Sequence, residues 1–198
     1  MSLMGKIRFR TRRAARTLLC ALLVLGSPWL GANAADEQDA RRIAVGLNVF
    51  PTFLAADQDI AAKRAGEGPL LLLVVHRDEP GLAERSADGL RDKGTIRGIP
   101  LKVEAVALSR LAHYADADVA GVFVVQRLGE DLPQLLAFGR RHKLLTFSPF
   151  EGDVEKGIAA GIVVGDRVLP YVNLAAAAAA GIRIKPFFLR IAERYEQP

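Results

Sequence analysis

Cysteine is nearly absent from this chain: Cys20 is the only one among 198 residues. It lies in a stretch whose pattern marks it for removal, so the remainder has no disulfide, no thiol nucleophile and no thiolate metal site. Also missing is an apolar run of the ~18–20 residues needed to span a bilayer. The best candidate, Thr17 to Leu25 extended weakly by Trp29 and Leu30, is interrupted by Gly26, Ser27 and Pro28. A distributed excess of one charge is lacking too. The net charge is +5, yet residues 1–34 hold six of the 27 basic residues (Lys6, Arg8, Arg10, Arg12, Arg13, Arg16) and none of the 22 acidic ones. Residues 35–198 carry 21 basic against 22 acidic residues. A near-neutral body has no electrostatic reason to seek a phosphate backbone, so nucleic acid is set aside as a partner.

The charged start reads as a secretory signal: a basic region through Arg16, an apolar stretch, and the small-residue site Ala32-Asn33-Ala34 with cleavage expected before Ala35. Arg12-Arg13 lacks the large apolar residue expected soon after a twin-arginine pair, which favours general secretion. Leu18-Leu19-Cys20 is no lipobox, because Leu19 is large and the apolar core continues beyond the cysteine. The expected organisation is therefore a cleaved signal peptide over 1–34 and one domain over 35–198, placed in the periplasm. A domain of that size buries roughly 70% of its unfolded surface and holds one core without staples.

Along the mature chain, residues 35–42 are polar and are expected to fray. Ile43, Leu47, Phe50 and Leu54 then fall at helical spacing, with a kink or restart expected at Pro51. Leu70–His76, Val119–Gln126 and Leu144–Ser148 are buried strand-like runs, and Leu101–Leu108 alternates as a strand does. Between them lie helical stretches at Glu79–Lys93 and around Leu132, Leu135, Leu136 and Gly139, with a short helix at Ser109–Tyr114. Apolar runs separated by helices predict a mainly parallel sheet flanked by helices. Ile158–Val164 and Val168–Val172 flank Gly165-Asp166, which fits a two-residue hairpin turn. Asn173 caps an alanine-rich helix stopped by Gly181. Pro186 opens a terminal helix whose Phe188, Ile191, Ala192 and Tyr195 share a face. The fold class expected is α/β, a single domain with a C-terminal β-hairpin and a terminal helix.

Searches for catalytic signatures fail. There is no phosphate-binding glycine loop after a strand and no haem-attachment motif, and His76, His113 and His142 are not paired at ligand spacing. Ser148 follows a strand but lies in Phe-Ser-Pro, without the glycines of a nucleophile elbow. No catalytic residue, metal or cofactor is assigned. One loop stands out, Thr146 to Gly157, because it leaves the carboxyl end of a central strand, where open α/β sheets place ligands. Phe147, Ser148, Phe150, Glu151, Gly152 and Asp153 supply aromatic, hydroxyl and carboxylate groups there. Arg167, beyond the hairpin turn, is a partner for Glu151 or Asp153, and Asn173 lines the same edge or serves as a helix cap. The alternative reading is a crossover loop whose phenylalanines fill the core. Phe187 and Phe188 cannot both face inward from one helix, so one is left for a partner.

The sequence around this loop resembles the YfiR/HmsC family of periplasmic regulators. The resemblance rests on Phe147-Ser148 with Glu151-Gly152, the hairpin with Arg167, and the closing string Asn173-Leu174, Gly181-Ile182-Arg183-Ile184 and Phe188-Leu189-Arg190-Ile191-Ala192. It covers about residues 119–195, with a looser match over 70–108. It implies a non-enzymatic α/β protein that binds the sensory domain of an inner-membrane signalling protein, a diguanylate cyclase of cyclic di-GMP signalling or a histidine kinase. A small-molecule ligand near 147–153 and a homodimer through Phe187 or Phe188 belong to the same reading. Redox gating by disulfides, which occurs in the family, has no cysteines to work with here. The competing readings are a periplasmic solute-binding protein of a transporter and, third, an enzyme using Glu151, Asp153 or a histidine.

Overall fold

The computed structural model describes residues 29–196. Residues 1–28, with the basic and apolar parts of the expected signal, lie outside the described residues. Contacts divide the chain into two units, residues 1–37 and 38–198, and the second holds the sheet and its core.

The sheet has eight strands in the order β2-β3-β1-β4-β5-β6-β7-β8. Its centre is a parallel block of β1 (Leu70–His76), β3 (Ile99–Ala107), β4 (Val119–Val124), β5 (Leu145–Ser148) and β6 (Ala160–Val164). β1, β4 and β5 are continuous apolar runs, which only a sheet covered on both faces can bury, whereas β3 alternates as its sequence does. Short β2 (Thr95–Ile96) is antiparallel on one edge. On the other, β7 (Val168–Asn173) is antiparallel to β6, and β8 (Glu193–Tyr195) runs parallel to β7.

Two helices share one face. α1 (Trp29–Ala56) lays Phe50 and Phe53 against Phe123 of β4 and Phe147 of β5, with centroid separations of 5.4–5.7 Å. Gly121 permits this approach, since a Cβ there would stand 2.9 Å from Leu54 and 3.1 Å from Phe50. α2 (Pro80–Arg91) lies beside α1, with Gly89 against Leu47. α3 (Leu132–Arg141) covers the opposite face, where Gly139 rests on Thr146. A one-turn helix, α5 (Pro186–Leu189), brings Phe188 onto Phe53 at 4.8 Å.

Four details differ from the sequence expectation. Residues 35–42 are helical rather than frayed, with Asp39 and Arg42 anchoring that stretch to Arg127, Pro149 and Glu151. The helix does not restart at Pro51, which sits inside it; the flanking Phe50, Phe53 and Leu54 are fully buried and hold both turns in place. The hairpin turn has three residues, Gly165–Arg167, because Val164 pairs with Val168. The terminal helix lasts one turn; Ile191 is 60% exposed, and Tyr195 belongs to a strand rather than to a helical face. Helical spacing there coincides with an edge strand that needs only backbone pairing. Asn173 does cap a helix, α4 (Leu174–Ala179): its Oδ1 accepts from Ala176 N at 2.8 Å, and Gly181 ends the helix at φ +66°.

Candidate functional site

The loop after β5 is a folded turn held from inside. The Ser148 hydroxyl donates to Asp153 Oδ2 at 2.7 Å and accepts from Phe150 N at 3.2 Å. Asn173 Nδ2 donates to the Val154 carbonyl at 2.8 Å, so one side chain caps α4 and ties down the loop. Ala159 N donates to Thr146 Oγ1 at 3.1 Å, and Gly152 and Gly157 take the positive φ angles, +84° and +115°, that close the turn. Gly161 on β6 lets it lie flat, since a Cβ there would meet Val154 Cγ2 at 2.6 Å and the Ser148 carbonyl at 2.7 Å. Burial raises the Asp153 carboxyl above its ordinary pKa, against the lowering effect of the Ser148 hydrogen bond.

The outer side of this loop is held by α1. Arg42, 8% exposed, donates to the Pro149 carbonyl at 3.3 Å and to Glu151 Oε2 at 3.0 Å. Arg127 lies over the Phe150 ring at 4.9 Å and makes two 2.9 Å bonds to Asp39. The hydrogen bonds that Arg127 donates to Asp39 raise its pKa, with desolvation opposing them. A groove of about 130 Å³ runs past Arg42, Glu151, Ile162 and Tyr171 towards Val164. Desolvation and a hydrogen bond to Glu155 push the Tyr171 phenol up to about 12. The groove thus offers one cation, exposed carboxylates and an apolar floor, which suits recognition of a polar surface more than bond-making.

The residues singled out in the sequence separate into three places. Phe147 is fully buried in the aromatic core, stacked on Phe123, and does not reach the groove. Ser148, Asp153 and Asn173 are buried and bonded to one another's segments. Phe150, Glu151 and Gly152 line the groove. Arg167 is exposed on the hairpin turn, and the ion pair foreseen for it with Glu151 is made by Arg42 instead. Arg42, Asp39, Arg127 and Tyr171 were missed. The available signal was the α1 stripe itself, which extends back from Phe50 through Gly46 and Arg42 to Asp39 at steps of four and three. Phe187 is 53% exposed and Phe188 is buried, as two adjacent aromatics require. Among the described residues no group of three His, Cys, Asp or Glu side chains is placed to hold a metal.

The sequence pattern of the YfiR/HmsC-like family matches residues 60–193, which take in the parallel block as well as the loop and the closing string. The chain belongs to the YfiR/HmsC-like family. That family is in general periplasmic and regulatory rather than enzymatic. No curated protein matches the chain. Among solved structures, a crystal structure described as the ABC domain in complex with L-Trp from Streptococcus pneumonia aligns with a TM-score of 0.51 at 11% identity. The alignment covers 72% of this chain and 61% of that one, a likeness of fold alone. No helix among the described residues is long and apolar enough to cross a membrane.

Proposed function

We propose that this YfiR/HmsC-like protein is a non-enzymatic periplasmic regulator, exported by a cleaved signal peptide over residues 1–34. It binds the sensory domain of an inner-membrane signalling protein, a diguanylate cyclase or a histidine kinase, and modulates it. Membership of a regulatory family is the observation that carries this reading. The contact face is the groove beside the β5 loop, continued by the hairpin tip, where Val164 and Val168 are 49% and 40% exposed. Apolar side chains beside Arg42, Glu151 and Glu155 give the apolar centre and polar rim of a protein interface. A small ligand in the groove that prefers one of the two states, free or partner-bound, shifts the affinity for the partner. The solute-binding reading has only a fold likeness behind it, and residues 38–198 build one sheet rather than two lobes closing on a ligand.

Affinity capture from detergent-solubilised envelope tests this, with the tagged protein compared against Glu151→Ala and Val168→Asp, both exposed positions that leave the core alone. The expected result is enrichment of one inner-membrane cyclase or sensor kinase, reduced in both variants. Enrichment of no signalling protein, or equal enrichment by all three proteins, overturns the proposed contact face.

A further inference from the structure

The fold has a second concavity, away from the regulatory groove. In doubly wound sheets the ligand crevice opens where neighbouring strands send their chains to opposite faces. Here that point lies between β1 and β4, and it is plugged. Gln126 Oε1 accepts from the backbone N–H groups of Arg77 and Asp78 at 3.0 and 3.1 Å, and its Nε2 donates to Asp78 Oδ1. The open space is one strand over, at the carboxyl ends of β1 and β3. A cleft of about 800 Å³ is bounded there by His76, Pro80, Ala107, Arg110, His113 and Tyr114. That volume is in the range of small-molecule sites.

His76 ends β1 and is only 7% exposed. Its Nδ1 is sealed from solvent and has no hydrogen-bond partner among the described residues. A buried N–H without an acceptor costs more than a bare lone pair, so the neutral ring carries its proton on Nε2. Nε2 is bonded to nothing among the described residues either, and His76 is one of the residues that line the cleft. Two further donor side chains line the cleft, beside an apolar wall of Ala105, Val106 and Ala107. Arg110 and His113 come from the 3-10 helix Leu108–Tyr114. Pro80 brings the amino end of α2 to the rim, and Glu79 gives that end no side-chain cap. Of the nearby carboxylates, Glu104 takes Lys102 at 2.8 Å and the Tyr114 hydroxyl at 2.5 Å, Asp78 takes Gln126, and exposed Glu79 stands beside Pro80 without lining the cleft. Among the described residues no carboxylate lines the cleft.

Three donor side chains, an apolar wall and no lining carboxylate suit a small oxygen-rich anion with an apolar part. We infer that the cleft between the ends of β1 and β3 binds a small organic anion, a carboxylate or a phosphate ester. Arg110 neutralises its charge, His113 donates a ring N–H, and His76 donates to it from Nε2. This site does not depend on the partner reading and is separate from the groove beside the β5 loop.

The test is titration of the protein with inorganic phosphate and, separately, with succinate, each against sodium chloride at matched ionic strength. The imidazoles are followed by long-range ¹H–¹⁵N spectra. His76 and His113 are expected to shift saturably, with Kd in the millimolar range for such bare probes. His142, which precedes β5 at the amino ends of the strands, stays still. Arg110→Gln and His113→Gln, both at exposed positions, each weaken binding about tenfold by removing a charge-assisted bond. Saturation by only one probe supports the site and names its ligand class. Equal shifts from chloride, no saturable shift from either probe, or an unchanged Kd in both variants overturns the inference.

Discussion

Replacing Arg42 with methionine separates what holds the β5 loop from what merely lies near it. The stem of Arg42 is packed, and methionine keeps much of that volume while removing the guanidinium. The lost bond to the Pro149 carbonyl has a charged donor and leaves a buried acceptor behind, a cost of about 1.5–3 kcal/mol. The ion pair with Glu151 adds little, because that carboxylate side chain is 78% exposed; such pairs contribute ~0–1 kcal/mol. Relief from burying a charge offsets part of the loss, so the net destabilisation expected is about 2 kcal/mol, or a Tm lower by about 4–8 °C for a domain of this size. Glu151→Gln, by contrast, is expected to cost less than ~1 kcal/mol, with a coupling to Arg42 of the same small size. Urea unfolding of both single variants and the double variant measures each quantity. If Glu151→Gln destabilises as much as Arg42→Met, the loop is held by the ion pair and the reasoning fails. It fails equally if Arg42→Met is neutral.

Asn173→Ala removes a helix cap and the tie to Val154 together, so a loss of about 2–3 kcal/mol in urea unfolding is expected, above the ~1 kcal/mol of a cap alone; a loss of the cap's size only means that the Val154 bond is idle. Asp153 has its folded-state pKa raised by burial, so its stabilising contribution is present below the unfolded carboxyl pKa and lost as pH rises through the folded one. Asp153→Asn still offers Ser148 an acceptor and is expected to flatten that fall in Tm with rising pH, leaving the variant at least as stable as the parent at neutral pH. A parallel, unflattened profile would show that Asp153 is ionised without penalty.

Much of the sheet was legible because its central strands are continuous apolar runs, and a covered parallel strand has no polar face to confuse the pattern. β8 was not, because Glu193-Arg194-Tyr195 sits at an edge and is specified by pairing with Tyr171–Asn173 rather than by its own hydrophobicity. The β5 loop was placed correctly at the carboxyl end of a central strand, yet its composition mixes roles that only the tertiary structure separates. Phe147 faces α1 and belongs to the core, whereas Phe150 turns to meet Arg127. Arg42 was invisible as a partner because a charge in a polar stretch reads as solvated. Its acceptors, Pro149 and Glu151, lie over 100 residues away and become neighbours only when α1 lies across the sheet.

That docking has a consequence for how the protein comes together and apart. α1 contributes no strand to the sheet, and its polar ties reach Arg127, Pro149 and Lys185 across 88, 107 and 130 residues. Loop closure over such distances is entropically costly, so α1 is expected to dock late in folding. Because no strand pairing depends on α1, the helix can lift while the ladder stays intact. The partly opened form bares Phe123 and Phe147 together, a stacked aromatic surface in the middle of an otherwise folded sheet. Such a sub-global opening lies below the free energy of complete unfolding. With Phe50, Phe53 and Leu54 fully buried, that opening is rare, and limited proteolysis cutting within α1 ahead of the strands is the outcome that would reveal it.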